Sequence, residues 1–166
     1  RYFGTVDKFI GDCAMVVFGA PKQDPEHQFH AVECAVLMQK LNRQLNISKR
    51  HEGKAAVDLR IGINSGQMLA GVLGTNNRME YTVVGDSVNL ASRLCGEAEP
   101  GEIVITQETY SSLFPDKKVI AHMHKEIRIR GKEEPVETYL IDDVAREYQL
   151  TMEGLISDVL AGRLVK

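Results

Sequence analysis

A short charged hairpin contains the residues of this chain that could most directly do chemistry. Two apolar, strand-like stretches between Val6 and Phe18 surround a tight Ile-Gly-Asp turn, with Lys8 on the way in and Asp12 at the tip. Glycine permits the backbone angles of such a turn, and aspartate tolerates them. A carboxylate at a turn tip can reach a hard cation such as Mg²⁺. The pattern therefore predicts a β-hairpin that presents a metal-binding carboxylate.

The elements that must position this hairpin alternate between strand and helix patterns. Apolar residues at helical spacing from Phe29 to about Asn46 predict a long amphipathic helix, and alternation over 57–63 predicts a strand. Further strands are predicted over 68–72, 81–84, 103–105, 119–129 and 136–141, and further helices over 88–94 (capped by Asp86 or Ser87), 107–113 and 142–164. Strands interleaved with helices favour an α/β or α+β domain with a mostly antiparallel sheet.

Composition limits the classes of partner and compartment. The 166 residues fit one compact domain, and a net charge of −3 gives no electrostatic footprint for nucleic acid. No apolar run could span a bilayer and no secretory leader opens the chain, so a cytoplasmic location is expected. A membrane tether upstream of Arg1, at the inner face of the membrane, is left open. Three cysteines without metal-ligand spacing are expected to be small buried hydrophobic residues.

Four sequence blocks, taken in order, resemble those of a known family. They are K-F-I-G-D at Lys8–Asp12, R-I-G-I-N-S-G at Arg60–Gly66, Y-T-V-V-G-D-S-V-N-L-A-S-R at Tyr81–Arg93, and R-G-K at Arg130–Lys132. Together they resemble the class III nucleotidyl cyclase catalytic domain, in its bacterial-type adenylyl subgroup. The resemblance implies an α+β, ferredoxin-like core whose mostly antiparallel sheet is flanked by helices. It also implies a head-to-tail dimer with active sites at the interface.

The same resemblance sets the expected boundaries of the domain. Residues 1–141 correspond to the catalytic domain without its first strand and first metal-binding block, and residues 142–166 form a C-terminal helical extension. An upstream regulatory domain is also expected.

Lys8 and Thr82 align with the family's base-selecting pair. A lysine ammonium can only donate and suits adenine N1, while a threonine hydroxyl can accept from the adenine amine. Guanine has a donor, N1–H, where adenine has the acceptor N1, and an acceptor, O6, where adenine has the amine. A lysine would therefore meet a donor at N1 of guanine. The pair therefore favours ATP as the substrate over GTP.

Asp12 matches one of the family's two metal-binding aspartates, which together hold two Mg²⁺ or Mn²⁺ ions per site. The second aspartate is expected in a block that precedes Arg1. Asp7 is expected to be no substitute, because adjacent strand side chains point to opposite faces and Asp7 would face away from Lys8.

Four further polar residues match positions that contact the substrate in the family. Asn89 and Arg93 lie four residues apart on one helix face, where they would orient the ribose and stabilise charge on the transferring phosphoryl group. Lys132 would bind the terminal phosphates. Arg78 would be a second positively charged side chain directed towards them.

The sequence is thus interpreted as an adenylyl cyclase catalytic domain that acts as a homodimer and converts ATP to 3′,5′-cyclic AMP and pyrophosphate. Two alternatives stay open. One is a catalytically inactive nucleotide-binding or dimerisation module of the same fold, and the other is a guanylyl cyclase, which Lys8 disfavours.

Overall fold

The first two strands form the hairpin that the sequence predicts. The computed structural model describes residues 2–75, 78–129 and 134–163, and covers residues 73–75 and 78–80 by their backbone alone. Strands β1 (Thr5–Ile10) and β2 (Cys13–Val17) pair antiparallel. They are joined through Gly11, whose φ of +63° is a conformation that glycine adopts without strain.

Helix α1 (His27–His51) follows, and its contacts with Val57 make the next strand shorter than the sequence predicts. The sequence predicts a strand over 57–63, but β3 covers only Ile61–Ile63. The side chain of Asn46 on α1 bonds both the N–H and the carbonyl of Val57, at 3.0 and 2.8 Å. Val57 is therefore held by the helix instead of a neighbouring strand. No helix within the described residues is long and apolar enough to cross a membrane.

A two-stranded ribbon leads into the second helix. Strands β4 (Leu69–Thr75) and β5 (Arg78–Val84) pair antiparallel, and helix α2 (Asp86–Glu97) begins directly after β5. The ribbon lies against the hairpin through β1 and β5. These three elements carry most of the residues predicted to do chemistry.

A four-stranded sheet supports them in the order β3-β6-β8-β7. Its other members are β6 (Ile103–Thr106), β7 (Val119–Ile127) and β8 (Val136–Val144), with helix α3 (Gln107–Leu113) and a 3₁₀ turn (Phe114–Asp116) between β6 and β7. Strands β3 and β6 are parallel and the other pairs antiparallel. The predicted, mostly antiparallel sheet is confirmed.

Strand β6 lies in the centre of the core because both of its faces are covered. Ile103 and Ile105 pack with α1 on one face, and Val104 packs with Leu90 and Leu94 of α2 on the other. This alternation follows from the two-residue period of a strand. Helix α2 is therefore fixed against the opposite face of the sheet from α1.

The last helix is part of this core. Strand β8 continues to Val144, so α4 (Arg146–Leu160) begins later than the sequence suggested. Met152 is fully buried among core residues of α1 and the sheet. The ring of Tyr148 packs edge-on against that of Phe29, with 4.6 Å between the ring centroids. Helix α4 packs on the body of the protein.

Helix α2 approaches β3 at Gly62 more closely than any side chain would allow. A Cβ atom at Gly62 would lie 2.2 Å from the backbone nitrogen of Cys95 and 2.5 Å from the carbonyl oxygen of Ala91. Both atoms belong to the backbone of α2, which cannot move aside as a flexible side chain could. The contact sets the distance between the helix and the sheet.

Substituting Gly62→Ala is therefore expected to destabilise the protein by about 2 kcal/mol or more, because overpacking must displace α2. Urea unfolding followed by circular dichroism measures the loss. Gly96→Ala is the matched control, since among the described residues a Cβ there would meet no atom outside its own stretch of helix within 4 Å. Because Gly96 lies inside α2, that substitution should stabilise the protein by roughly 0.5–1 kcal/mol. Equal stabilities for the two variants would contradict the close contact.

Candidate active site

The β1–β2 hairpin contains a β-bulge that changes where its charged side chains lie. Val6 pairs with Val16 and Lys8 pairs with Met15, so Asp7 is the extra residue on β1. The Nζ atom of Lys8 lies 3.5 Å from Oδ2 of Asp7. The expectation that Asp7 faces away from Lys8 is therefore wrong, because the alternation of side chains along a strand is interrupted at a bulge.

Thr82 of β5 joins the same carboxylate. Its Oγ1 donates a hydrogen bond of 2.9 Å to Oδ2 of Asp7. The Asp7 side chain is only 4% exposed, whereas that of Lys8 is 36% exposed. We call Asp7, Lys8 and Thr82 the Asp7 cluster. The structure thus brings Lys8 and Thr82 together at an acidic residue that sequence reasoning excluded. The only feature of the sequence that could have indicated this role of Asp7 is its place directly before Lys8.

Thr82 is buried and lies opposite a glycine on the β4–β5 ribbon. Gly71 of β4 is the cross-strand partner of Thr82, and among the described residues a Cβ atom at Gly71 would meet no atom within 4 Å apart from its chain neighbours. Side chains of directly opposed residues project from the same face of a ribbon. Gly71 therefore places no side chain beside Thr82 on that face.

Asp12 lies exposed at the turn of the hairpin. Within the part of the chain that the structure describes, its carboxylate has no hydrogen-bond or ion-pair partner. The described residues also contain no group of three or more His, Cys, Asp or Glu that could hold a metal ion. Asp12 fits the role of one oxygen ligand to a divalent cation, but it does not form a complete metal site.

Helix α2 begins without the predicted side-chain cap. Its N-cap is Gly85, whose φ of +149° favours glycine, and neither Asp86 nor Ser87 caps the helix. Asp86 lies in the first turn, where a carboxylate interacts favourably with the helix dipole. The Ser87 hydroxyl instead donates a 3.1 Å hydrogen bond to the carbonyl of Gln67, which ties α2 to the segment before β4.

Further hydrogen bonds anchor the start of α2 to the sheet. The Asn64 amide donates to the carbonyl of Ser87 at 3.1 Å and accepts from the Thr106 hydroxyl at 3.0 Å. The next residue, Ser65, donates its N–H to the Thr109 hydroxyl at 3.0 Å. Thr106 and Thr109 are buried, so losing a partner would leave a costly unsatisfied group. The block from 60 to 66 therefore positions α2.

Asn89 and Arg93 are both exposed on one side of α2. The adjoining residues Leu90 and Leu94 are 7% and 0% exposed and fix the rotation of the helix. Among the residues that the structure describes, no side chain forms a hydrogen bond or ion pair with Asn89 or Arg93. The amide and the guanidinium are therefore available to a ligand.

Two of the positively charged residues predicted to bind phosphate have side chains that the structure does not describe. Arg78 is the first residue of β5, but its side chain is not among those described. Lys132 lies outside the described residues. Their contacts with phosphate stay predictions.

The cysteines differ from one another in exposure. All three are free thiols, but Cys13 beside Asp12 is exposed, so the expectation that it is buried is wrong. Burial raises the pKa of the Cys34 thiol, and burial also raises the pKa of Cys95, whose Sγ contacts the carbonyl of Arg60 at 3.3 Å. Cys34 and Cys95 are partly buried packing residues.

Comparison with known proteins places these features in one family. The family model for the adenylate and guanylate cyclase catalytic domain matches residues 6–143. The terminal-differentiation-specific adenylate cyclase of Dictyostelium discoideum is 37% identical over 149 residues, which cover 87% of this chain and 7% of that protein. This chain is thus a small part of that relative's length, and it spans 24% of the next relatives.

Two solved structures share the fold over most of their length. The adenylyl cyclase CyaB from P. aeruginosa matches with a TM-score of 0.80 and 39% identity, covering 87% of this chain and 74% of that one. The guanylyl cyclase Cya2 matches with a TM-score of 0.81 and 31% identity, covering 89% and 74%. The predicted α+β, ferredoxin-like cyclase fold is confirmed. Because the family match includes the hairpin, the ribbon and α2, this chain belongs to the family of adenylate and guanylate cyclase catalytic domains.

Proposed function

We propose that this chain is the catalytic domain of an adenylyl cyclase, which converts ATP to 3′,5′-cyclic AMP and pyrophosphate. The observation that carries the proposal is the convergence of Lys8 and Thr82 on the buried carboxylate of Asp7. Relatives of both nucleotide specificities match the chain, so the choice of base has to be argued from these residues.

The cluster offers hydrogen-bonding groups that match the edge of adenine. The Lys8 ammonium has donors only, which suit the acceptor N1 of adenine, and the Thr82 oxygen can accept from the exocyclic amine. Guanine would present N1–H to the lysine, so two donors would face each other without an acceptor between them. Sites of this kind discriminate strongly, because a buried polar group without a partner is costly.

The exposed polar residues of α2 suit the transfer step. In that step the ribose 3′-oxygen bonds to the α-phosphorus, the bond to the bridging oxygen breaks, pyrophosphate leaves and the hydroxyl proton passes to solvent. Asn89 would orient the ribose, and Arg93 would stabilise the charge that develops on the phosphoryl oxygens. Lys132 and Arg78 would add positive charge near the leaving phosphates.

Asp12 would supply one ligand to the Mg²⁺ or Mn²⁺ ions of the reaction, and the substrate phosphates would supply others. Such ions activate the hydroxyl and neutralise phosphate charge.

Exposed apolar side chains support a homodimer. Several lie on the hairpin and the adjoining ribbon, with Phe9 75% and Leu69 76% exposed: Val6, Phe9, Ile10, Leu69, Val72 and Val84. Apolar surface of this kind marks a protein interface. In a twofold dimer of one sequence, each of two sites would take Asp12 from one protomer and the Asp7 cluster, Asn89 and Arg93 from the other.

Mixed dimers test the shared site in the full-length protein. Asp12→Ala and Arg93→Ala should each lower activity by about 100-fold or more. After the two variants are mixed in equal amounts and allowed to exchange subunits, half of the dimers should contain one intact site. Cyclic AMP formation should then recover to about a quarter of the wild-type rate.

The matched control is a mixture of Asn89→Ala and Arg93→Ala. Both substitutions damage the same half of the site, so no dimer in this mixture contains an intact site. If the Asp12→Ala mixture recovers no more activity than this control, the shared-site arrangement is wrong.

Lys8→Met tests the choice of base, because methionine is of similar length and has no donor. Its kcat/KM for ATP should fall about 10- to 100-fold, in line with the roughly 1.5–3 kcal/mol of a hydrogen bond to a charged group. Lys54→Met is the control, since Lys54 lies in an exposed ion pair with Glu52 and should leave the rate unchanged.

The same assay separates the alternatives. With Mn²⁺ present, more product from GTP than from ATP would identify a guanylyl cyclase. Nucleotide binding without cyclic product would identify an inactive module.

A further inference from the structure

We propose that Asp7 is a specificity-determining positioning residue, which makes Thr82 an obligate hydrogen-bond acceptor towards the nucleobase and holds Lys8 beside it. This inference rests on the proposed adenylyl cyclase function. It adds to the base-selecting pair a residue that does not itself touch the base.

A threonine alone does not distinguish adenine from guanine at the 6-position. Its hydroxyl carries one donor and two acceptor lone pairs, and the hydrogen rotates to suit its neighbour. An unconstrained Thr82 could accept from the adenine amine or donate to the guanine O6 atom. Selectivity at this position therefore requires something that fixes the direction of the hydroxyl.

The carboxylate of Asp7 supplies that constraint. An ionised carboxylate only accepts hydrogen bonds, so the 2.9 Å contact between Thr82 Oγ1 and Asp7 Oδ2 uses the single proton of the hydroxyl. The lone pairs of Thr82 are then the groups left for a ligand. They can receive a hydrogen bond from an amine but have no proton to give to a carbonyl.

Burial makes this arrangement persistent. The Asp7 side chain is 4% exposed, so its charge must be satisfied by protein groups, here the Thr82 hydroxyl and the Lys8 ammonium 3.5 Å away. The ammonium has three donors, and one contact with Asp7 leaves others for the base. Asp7 thus holds both base-selecting side chains from one point.

The bulge in β1 is what permits this geometry. Asp7 and Lys8 are consecutive, yet their charged groups meet because Asp7 is the extra residue between the Val6 and Lys8 pairings. Bulges often re-aim a side chain beside an active site. A regular strand would send one of the two side chains to the other face.

The test compares Asp7→Asn, Thr82→Val and the double variant in the full-length protein. The side-chain amide of asparagine can donate to or accept from Thr82, so the hydroxyl regains its freedom. Cyclisation is measured with ATP and with inosine triphosphate, whose N1–H and O6 match guanine without the 2-amino group. The readout is the ratio of the two kcat/KM values.

Asp7→Asn should lower the preference for ATP over inosine triphosphate by about tenfold or more. In the Thr82→Val background the same substitution should change the ratio by less than about threefold, because the hydroxyl it acts through is gone. A merely structural role would lower both rates together and leave the ratio unchanged. Asp58→Asn, at an exposed position before β3, is the control and should behave as wild type.

Two results would overturn the inference while leaving the proposed function intact: an unchanged ratio in Asp7→Asn, or an equal change with and without Thr82. If Asp7→Asn does not fold, as judged by circular dichroism, Asp7→Ser is measured and interpreted in the same way. A wild-type protein that forms no cyclic AMP from ATP would instead contradict the proposed function.

Discussion

The position of every exposed polar group on α2 depends on one backbone contact, the approach of that helix to β3 at Gly62. The atoms that meet there are backbone nitrogen and carbonyl groups, so no rotamer change can absorb an added methyl group. Buried Leu90 and Leu94 then fix how the helix is turned. Asn89 and Arg93 are exposed side chains, but the helix that carries them is packed directly against the core.

Local patterns were sufficient to predict several elements. The turn at Gly11 and the apolar spacing of α1 are properties of neighbouring residues, and α3 begins and ends where predicted. Its start is fixed locally, because the Thr106 hydroxyl accepts a hydrogen bond from the N–H of Thr109. Such signals can be recognised in a sequence without knowing the fold.

The errors arose where distant residues decide the structure. The strand predicted from residue 57 is shorter because Asn46, on another element, takes both backbone groups of Val57. The direction of Asp7 depends on how β1 pairs with β2, and a bulge cannot be read from the alternation of β1 alone. Lys8, Thr82, Asn89 and Arg93 could be selected as candidate site residues from their sequence blocks, whereas the meeting of Lys8 and Thr82 at Asp7 required the fold.

The bulge has a consequence for how the Asp7 cluster could be lost during evolution. The contact between Asp7 and Lys8 depends on one extra residue in β1. It is therefore determined by the length of the strand as well as by the identity of its side chains. Deleting Val6 would restore regular pairing and separate the charged groups of Asp7 and Lys8 without altering either residue. An in-frame deletion of three nucleotides, with no new chemical group, would then be enough to dismantle the Asp7 cluster.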